Sequence, residues 1–459
     1  MFTRREFLKQ SLKTSSLVAL GSTVPVFVAN AADAVKPGKE TVLVVVQLTG
    51  GNDGLNTVVP FEDDDYYKAR PTIAVKQQQT IKVADGIGLN GTLGGLRPLH
   101  ERGELAIVQG VGYPNPNRSH FESMDVWNSA DPKRKRTDGW LGRGLTLMKA
   151  RPTGIPAFHI GEGDLPLALK GSTAGVPSMN TSKPFGLELG GESFGNSYAT
   201  SPRRRRFAVK EKVETDSSAA EVPRVRAHKS LISDVAQLSS TSAGGMQDFV
   251  RRTTLQTYTS IDRLKELMKG ETTSGDDERR FLPARYRYRF SGLLSELNLV
   301  ARMIQAGFGT RIFYLRLDGF DTHGDQLADH NGLLQTLGYA VSQFFETLKG
   351  GGDGKRVVLM TFSEFGRRVR ENGSRGTDHG SGSCLFVAGP AVKGGLVGKH
   401  PGLKPAELDS GDVKFHTDFR RVYATLLDGW LECDSRRVLD NDFAHLPLLK
   451  KPAKTAARD

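Results

Sequence analysis

Cysteine is scarce in this sequence, which has only Cys384 and Cys433 among its 459 residues. Two cysteines exclude a disulfide-stapled scaffold and a zinc site built from four cysteines. One disulfide between the two stays open, although two thiols in separate segments are also typical of a packed core. The cysteines therefore do not identify the chemistry of the protein.

Hydrophobic runs long enough to cross a membrane are also lacking. After residue 31, no run approaches the roughly 20 apolar residues that a spanning helix needs. Hydrophobic residues still make up 38% of the chain, which is enough for a large core and excludes global disorder. The formal net charge of +12 identifies no partner by itself. Basic stretches at residues 133–136 and 203–206 lack interleaved aromatic residues, so they favour solvated loops over nucleic-acid binding.

The N-terminus matches a twin-arginine export signal. Residues 3–9 read TRREFLK, residues 16–28 are modestly apolar, and residues 29–31 (ANA) offer small side chains to a signal peptidase. Residues 1–31 are therefore predicted to be a signal peptide that engages the twin-arginine export machinery. We expect the mature protein to be periplasmic or otherwise extracytoplasmic, with no membrane span. Substrates of this route cross already folded, often after a cofactor has been loaded, which favours a metalloprotein.

Strand-like and helix-like segments alternate along residues 32–459. Runs typical of strands buried on both faces of a parallel sheet occur at residues 41–48, 105–109, 311–317, 356–362 and 384–388. Helical patterns occupy residues 245–268, 284–306, 326–348 and 417–431. The alternation predicts a single α/β domain with a doubly wound, mostly parallel sheet sandwiched by helices. Gly, Ser, Pro and polar residues dominate at about 172–226, which predicts an irregular insertion or cap.

Doubly wound sheets place their chemistry in loops at the carboxyl ends of the strands. The first predicted strand leads into GGNDGLN at residues 50–56, where glycines allow close backbone approach and Asp53 reaches the rim of the sheet. An ordinary Gly/Asn/Asp turn is the alternative interpretation. Further along, Ser119 and Glu122 form S-x-x-E, the capping box that opens a helix. A serine at a helix N-terminus can also serve as a nucleophile if a metal or a base activates it.

Three later loops supply carboxylates and imidazoles. Asp321 and His323 follow a predicted strand and can converge on one metal ion. Glu364 comes directly after the next predicted strand, and Asp378 and His379 lie in a glycine-rich loop. A lone histidine is more often a structural residue than a ligand. Several such loops, most of them at strand ends, indicate a functional cleft.

Five motifs carry a resemblance to a known family. In this order behind a twin-arginine signal, GGNDGLNTVVP, RSHFES, GFDTHGDQ, SEFGRR and TDHGSGS resemble the bacterial family catalogued as domain of unknown function 1501. That family is placed in the alkaline phosphatase/sulfatase-like superfamily, and the resemblance covers essentially the whole mature chain. It implies an alkaline phosphatase-like fold. The family has no settled activity, and a fold alone does not supply a function.

The superfamily resemblance implies a role for each early loop. Asp53 would be the metal ligand after the first strand, and Ser119 would occupy the nucleophile position beside it. Asp321 and His323 resemble the Asp and His that bind one metal in superfamily phosphatases. Those enzymes usually space the pair as D-x-x-x-H, whereas here the two residues are two apart, so Asp325 is the fallback.

The late loops allow two alignments with the superfamily. In the first, Glu364 stands where those enzymes carry Asp-His, and Asp378-His379 supplies the late histidine. In the second, Asp378-His379 is that pair, and His400 or His416 is the last ligand. The first is favoured because Glu364 directly follows a strong strand pattern.

The resemblance implies a metal-dependent hydrolase of phosphate or sulfate esters with a serine nucleophile. Candidate residues for binding the anionic substrate are Arg118, Asn56 and Arg367, with ordinary salt bridges as the alternative for the arginines. The cofactor would be a divalent metal ion, and Zn²⁺, Mn²⁺, Mg²⁺ and Ca²⁺ all remain open. Ser119 lacks the C/S-x-P-x-R context of formylglycine sulfatases, so we expect no such modification. The alternative function is a catalytically silent extracytoplasmic binding or accessory protein on the same fold.

Overall fold

The computed structural model describes residues 40–148, 155–161, 163–172, 176–179 and 292–450. The predicted signal peptide, the predicted helix at 245–268 and most of the predicted insertion at 172–226 lie outside the described residues.

Short and long strands alternate with helices along the described chain. The strands are β1 (Val42–Thr49), β2 (Val58–Val59), β3 (Thr80–Ala84), β4 (Ile87–Asn90), β5 (Leu105–Gly112), β6 (Ala157–Ile160), β7 (Ser178–Met179), β8 (Ile312–Asp318), β9 (Val357–Phe362), β10 (Ser383–Ala388), β11 (Gly395–Val397), β12 (Leu408–Asp409), β13 (Asp412–Val413) and β14 (Thr417–Asp418). The α-helices are α1 (Gly54–Thr57), α2 (Asp64–Ala69), α3 (Arg97–Glu101), α4 (His120–Ser129), α5 (Trp140–Leu147), α6 (Gly292–Gln305), α7 (Gln326–Gly350), α8 (Phe419–Gly429) and α9 (Ser435–Leu439). Short 3₁₀ segments occupy Gln77–Gln79, Gly91–Leu96, Leu167–Leu169, Asp353–Arg356 and Pro405–Glu407.

The central sheet of the described chain has the strand order β11-β5-β10-β9-β1-β8-β6-β7, and β14 adds to β5. Strand β1 runs parallel to both of its neighbours, β8 and β9, and β6 runs parallel to β8. The predicted mixed α/β fold with a mostly parallel central sheet is therefore confirmed. Two smaller sheets, β2-β4-β3 and β12-β13, lie beside it.

Strand β10 departs from the parallel pattern, because it runs antiparallel to both β5 and β9. Antiparallel neighbours need no crossover helix. The connection from β9 to β10, residues 363–382, accordingly contains no helix. This reversal brings the start of β10 to the sheet edge at which the parallel strands end.

Both faces of the central sheet are covered. Val44 and Val46 of β1 belong to the hydrophobic core beneath α6 and α7. Leu43 and Val45 point to the opposite core, beneath α5 and α8. A strand buried on both faces has no polar alternation, which is why the run at 41–48 was recognisable in the sequence.

The described ranges contain neither a helix that could span a membrane nor a disulfide bond. No helix there combines the length and the apolar character that a bilayer span requires. Cys384 and Cys433 are both buried free thiols. The disulfide that the sequence left open is therefore absent.

Candidate metal centre

One edge of the central sheet collects the loops that the sequence singled out. Strands β1, β8 and β9 are parallel, so their carboxyl ends meet at this edge. Strand β5 is antiparallel to β10 and therefore also ends there, directly before the segment that leads into α4. Because β10 is reversed, the loop that precedes it reaches the same edge. Four chain segments thus meet where the metal site was predicted: those after β1, β5 and β8, and the connection from β9 to β10.

Close backbone packing holds two of these loops together. Gly50 has a φ of 120°, and a Cβ atom built on it would lie 2.3 Å from the backbone nitrogen of Asp321. Only glycine tolerates both the conformation and the contact. The glycines after β1 were predicted to let the backbone approach a ligand, but Gly50 instead lets the loop after β1 approach the loop after β8.

Arg367 ties the connection between β9 and β10 to the loops after β1 and β8. It is 1% exposed, and its Nε and Nη1 donate to the carbonyls of Gly51 and Thr377, each at 2.8 Å. Nη2 donates to the carbonyl oxygen of Phe320 at 3.0 Å and to Oδ1 of Asp321 at 2.7 Å. Every guanidinium nitrogen is engaged inside the protein. Arg367 therefore organises the site, and the structure does not present it to a substrate.

Three side chains bring ligand atoms to one point. His120, Asp321 and His379 each offer an atom, and these atoms all lie within 4.8 Å of one another. Nε2 of His120 is 3.4 Å from Oδ1 of Asp321, and Nε2 of His379 is 3.1 Å from the same oxygen. A tetrahedral zinc ion with bonds of about 2.0–2.1 Å places its ligand atoms about 3.3 Å apart. The spacing thus fits a metal ion, and the donor set suits one.

The hydrogen bonds of the two imidazoles leave their Nε2 atoms facing this point. Nδ1 of His120 lies 2.8 Å from Oε1 of Glu364, and Nδ1 of His379 lies 2.8 Å from the carbonyl oxygen of Arg118. Because these oxygens accept, the proton of each neutral ring sits on Nδ1 and the lone pair on Nε2. Nε2 of His120 is buried and has no hydrogen-bond partner. An orphaned imidazole nitrogen aimed at a carboxylate is the arrangement that a metal ion would complete.

His323 flanks the same point. Its Nε2 lies 3.1 Å from Oδ1 of Asp321 and 3.0 Å from Nε2 of His379. Its Nδ1 lies 3.3 Å from Oδ1 of Asp378. Two neutral imidazoles cannot share one hydrogen bond between lone pairs, whereas a cation between them satisfies both. His323 is therefore a candidate for a further ligand beside the three converging residues, and Asp378 contacts His323 rather than the shared point.

Glu364 sits behind His120. It is fully buried, and its Oε1 accepts a hydrogen bond of 2.8 Å from the backbone N–H of Gly50 besides the contact to His120. Its Oε2 accepts from Oγ of Ser363 at 3.1 Å. In metal sites, such a carboxylate fixes the ring orientation of a ligating histidine. Glu364 therefore contacts the candidate ligand His120 and is not itself one of the three residues whose ligand atoms converge.

The protonation states at the site follow from these contacts. Burial acts to raise the pKa of Asp321, but its other contacts together, above all the hydrogen bond and the positive charge of Arg367, lower the pKa to about 2. The hydrogen bond to Glu364 raises the pKa of His120 above its usual value. Burial lowers the pKa of His379. At neutral pH the cluster therefore contains an ionised carboxylate and a neutral His379, both of which are ligand forms.

Asp53, predicted as the first metal ligand, lies in a different network. It caps α1 by accepting from the backbone N–H groups of Leu55 and Asn56. Its Oδ2 pairs with Nη1 of Arg70 at 2.7 Å and accepts from Nε2 of Gln326 at 2.5 Å. Asp53 is 1% exposed, so both of its oxygens are used inside the protein. It shares the sheet edge with His323 but is not among the three residues that share the ligand point.

The other predicted site residues also have defined places. Asn56 is fully buried and bonds to the carbonyl of Ile73 and to Arg70, so it faces the interior. Ser119 is the N-cap residue of α4, but its side chain makes no capping hydrogen bond. The predicted capping box is therefore wrong. Glu122 bonds to Nδ2 of Asn117 instead of reaching back to Ser119.

The alternative ligands stand apart from the cluster. His400 contacts the carbonyl oxygen of Pro401 and, at 3.5 Å, that of Val58. His416 packs its ring edge against Gly110. Asp325 precedes α7 and forms an exposed ion pair with Arg375. Of the histidines left open by the sequence, His379 is the one in the cluster.

His120 is the residue that the sequence analysis missed. It directly follows Ser119 in the RSHFES motif, at the first position of α4. The signal was present, because this motif follows strand β5 as the other site loops follow theirs.

Comparisons with known proteins identify a family and little more. No curated protein matches this sequence. A solved structure, "Crystal structure of Ps i-CgsB", is similar at 8% identity and a TM-score of 0.33, covering 88% of this chain and 75% of that chain. A family model described as "Protein of unknown function (DUF1501)" matches residues 108–441. That span is most of the chain and includes His120, Asp321 and His379, so the protein belongs to this family of unknown function.

Proposed function

We propose that this protein is an exported, metal-dependent hydrolase of phosphate or sulfate esters. The observation that carries the proposal is the convergence of Nε2 of His120, Oδ1 of Asp321 and Nε2 of His379 on one point. His323 supplies a fourth donor at the same carboxylate oxygen. The position of the site at the carboxyl edge of a mostly parallel sheet supports a relationship to the alkaline phosphatase/sulfatase-like superfamily.

The donor set narrows the choice of metal. Imidazoles outnumber carboxylates in it, and imidazole suits Zn²⁺ better than Mg²⁺ or Ca²⁺, which prefer oxygen ligands. We therefore propose Zn²⁺ ahead of Mn²⁺, Mg²⁺ and Ca²⁺. A divalent ion held there neutralises the negative oxygens of a bound ester and lowers the pKa of a nearby hydroxyl.

Ser119 is the proposed nucleophile. It immediately precedes the ligand His120, and its hydroxyl is not used as a helix cap. Its Oγ would form a bond to phosphorus or sulfur while the bond from that atom to the leaving oxygen breaks. The Oγ proton goes to solvent, and the leaving alkoxide takes a proton from solvent. A water molecule then cleaves the covalent ester and restores the serine hydroxyl.

A binding or accessory protein is the second candidate, and one observation favours it. In the part of the chain that the structure describes, no side chain hydrogen-bonds to Oγ of Ser119 as a general base would. Asp53 is also committed to Arg70 and Gln326, which leaves donors for a single ion. Such a centre can hold a ligand without turning it over.

The deciding experiment combines metal analysis with an ester panel. Protein exported by its own host should contain about one zinc or manganese ion per chain and cleave at least one phosphate or sulfate ester. His120→Ala should lose most of the metal and the activity, because it removes one donor. The control His445→Ala changes an exposed histidine that pairs with Asp428 and should alter neither.

The combination of metal content and ester turnover distinguishes a hydrolase from a binding protein. Metal without turnover across phosphate monoesters, diesters and sulfate esters would move the assignment to a binding protein. Full metal content in His120→Ala would overturn the proposed centre itself.

A further inference from the structure

Two arginines beside the candidate metal centre share one buried carboxylate. Nε and Nη2 of Arg118 lie 3.0 Å and 2.5 Å from Oδ2 of Asp412. Nε of Arg368 lies 3.7 Å from Oδ1 of the same residue. The Asp412 side chain is 4% exposed, whereas those of Arg118 and Arg368 are 41% and 36% exposed. The two guanidinium groups and the carboxylate of Asp412 sum to +1, and the carboxylates of Asp378 and Asp409 lie close enough to act on Arg368 and Asp412, respectively.

The backbones of both arginines are fixed to the loop that carries His379. The carbonyl oxygen of Arg118 accepts from Nδ1 of His379 at 2.8 Å. The backbone N–H of Arg368 donates to the carbonyl of Asp378 at 3.0 Å, and its carbonyl accepts from Arg70 at 2.9 Å. Arg118 is two residues from His120, a span of at most about 7 Å of chain. Arg368 directly follows Arg367, whose Nη2 donates to Oδ1 of Asp321. Both arginines are therefore close in the chain to residues of the metal centre.

The guanidinium groups keep donors free for a ligand. A separation of 3.7 Å exceeds hydrogen-bond distance, so Arg368 is held to Asp412 by charge alone. In the described ranges, no hydrogen bond from a nitrogen of the Arg368 side chain, or from Nη1 of Arg118, reaches a protein acceptor. Guanidinium groups match the oxygens of phosphate and sulfate with paired hydrogen bonds. Asp412 orients the pair without neutralising it.

We propose that Arg118 and Arg368 form a second anion subsite, which selects esters that carry another phosphate or sulfate group beside the one that reacts. This inference rests on the proposed function for the reacting group and adds the substrate class, a multiply phosphorylated or sulfated ester. Arg118 was already a candidate for substrate binding from the sequence, whereas Arg368 and its partner Asp412 come from the structure. The subsite sets specificity and does not touch the reacting atoms.

Binding of stable anions to the metal-loaded protein tests the subsite without turnover. Isothermal titration would compare methanesulfonate with propane-1,3-disulfonate, which carries two tetrahedral oxyanions that cannot be hydrolysed. We expect the disulfonate to bind about tenfold more tightly to the wild type. Arg368→Gln should remove that preference, and Arg368→Lys should restore it only in part. The control Arg370→Gln changes a neighbouring exposed arginine and should keep the preference.

Kinetics provide a second readout for any ester that is cleaved. Arg368→Gln should raise KM about tenfold for an ester with a second anionic group, with kcat unchanged and with no effect on the singly charged analogue. Equal binding of the two sulfonates to the wild type, or equal behaviour of Arg368→Gln and Arg370→Gln, would overturn the subsite. Failure to cleave any ester would overturn the proposed function alone, because the titration still decides the subsite.

Discussion

At the scale of single residues, the site depends on how each imidazole is oriented. His120, His323 and His379 all direct Nδ1 to an oxygen and Nε2 to Oδ1 of Asp321. The acceptors differ, being a buried carboxylate, an exposed carboxylate and a backbone carbonyl. The ring orientations are therefore set by Glu364, Asp378 and Arg118. From the sequence, the first two were predicted to be metal ligands and Arg118 to bind the substrate.

Ser119 separates the two candidate functions. Ser119→Ala should lower kcat by at least about 1,000-fold in a hydrolase, because the attacking oxygen is lost. Metal content should persist, since Ser119 is not among the converging ligands. The free energy of unfolding should change by no more than about 0.5 kcal/mol, because this hydroxyl makes no capping bond.

The measurements are steady-state kinetics, metal analysis and denaturant unfolding, with the exposed Ser410→Ala as the control. A fully active, metal-loaded Ser119→Ala protein would leave water as the nucleophile.

Glu364 should tune metal affinity rather than provide a ligand. Glu364→Ala removes the acceptor for Nδ1 of His120 and should weaken metal binding by about 10–100-fold. Glu364→Gln keeps an acceptor oxygen and should lose less. The measurement is competitive metal titration, with circular dichroism to confirm folding. Glu371→Gln is the matched control, because Glu371 belongs to the same β9–β10 connection but bonds to Thr72.

Two outcomes would contradict this placement of Glu364. Complete loss of metal from both variants would return Glu364 to the ligand role that the superfamily resemblance implies. Unchanged affinity in both would leave it with a purely structural role.

At the scale of elements, a buried polar network fastens the start of α7 to the loop after β1. Arg70, at the end of α2, pairs with Asp53 and donates through Nε to the carbonyl oxygen of Val369. Gln326, the first residue of α7, bridges Asp53 and the hydroxyl of Thr377. Removing one partner of such a buried ion pair typically costs about 3–5 kcal/mol. The network therefore supports the loops that carry the candidate ligands.

His330 makes this junction sensitive to acid. It is fully buried on α7, and its Nε2 lies 3.0 Å from Oδ1 of Asn52. Burial lowers its pKa to about 4, although nearby Asp53 acts in the opposite direction. The unfolded chain therefore binds this proton more readily than the folded protein does. Stability is fully present above pH 6.5 and falls as the pH drops towards 4, by up to about 3 kcal/mol from this residue.

The measurement is the free energy of unfolding between pH 7 and pH 4, in the wild type and in His330→Gln. The variant keeps an amide donor for Asn52 but cannot titrate, so its stability should fall less over this range. Parallel curves for the two proteins would show that His330 does not contribute.

At the scale of the whole molecule, we propose that the protein is exported by the twin-arginine route before it acts on a substrate. The predicted signal peptide at residues 1–31 lies outside the described residues, so the proposal rests on the sequence. Replacing Arg4 and Arg5 by Lys should leave unprocessed precursor in the cytoplasm, because the export receptor reads the paired guanidinium groups. Cell fractionation and the size of the protein on an immunoblot measure this. Lys13→Gln is the control, and normal export of the Arg4/Arg5 variant would show that another route operates.

The positions of the long strands along the chain and the mostly parallel sheet were predictable, whereas the order of the strands in the sheet and the reversed direction of β10 were not. Continuous apolar runs at residues 41–48 and 356–362 identify buried strands because local composition alone produces that pattern. The antiparallel direction of β10 has no local signature, since it depends on which neighbours the strand pairs with. That direction nevertheless decides where His379 lies.

The sequence by itself determined the α/β class, the motif-bearing loops and the residue types available for a metal ion. The tertiary structure decided which of those residues meet. Asp53 and Arg367 carry charges suited to a metal site and a substrate, but burial against Arg70 and against backbone carbonyls uses them inside the protein. The sequence analysis assigned no role to His120. It is a ligand candidate because its Nδ1 contacts Glu364, which leaves Nε2 facing Asp321. The contacts at this edge include one between residues that are 316 positions apart in the sequence, and a local sequence pattern contains no information about which residues meet.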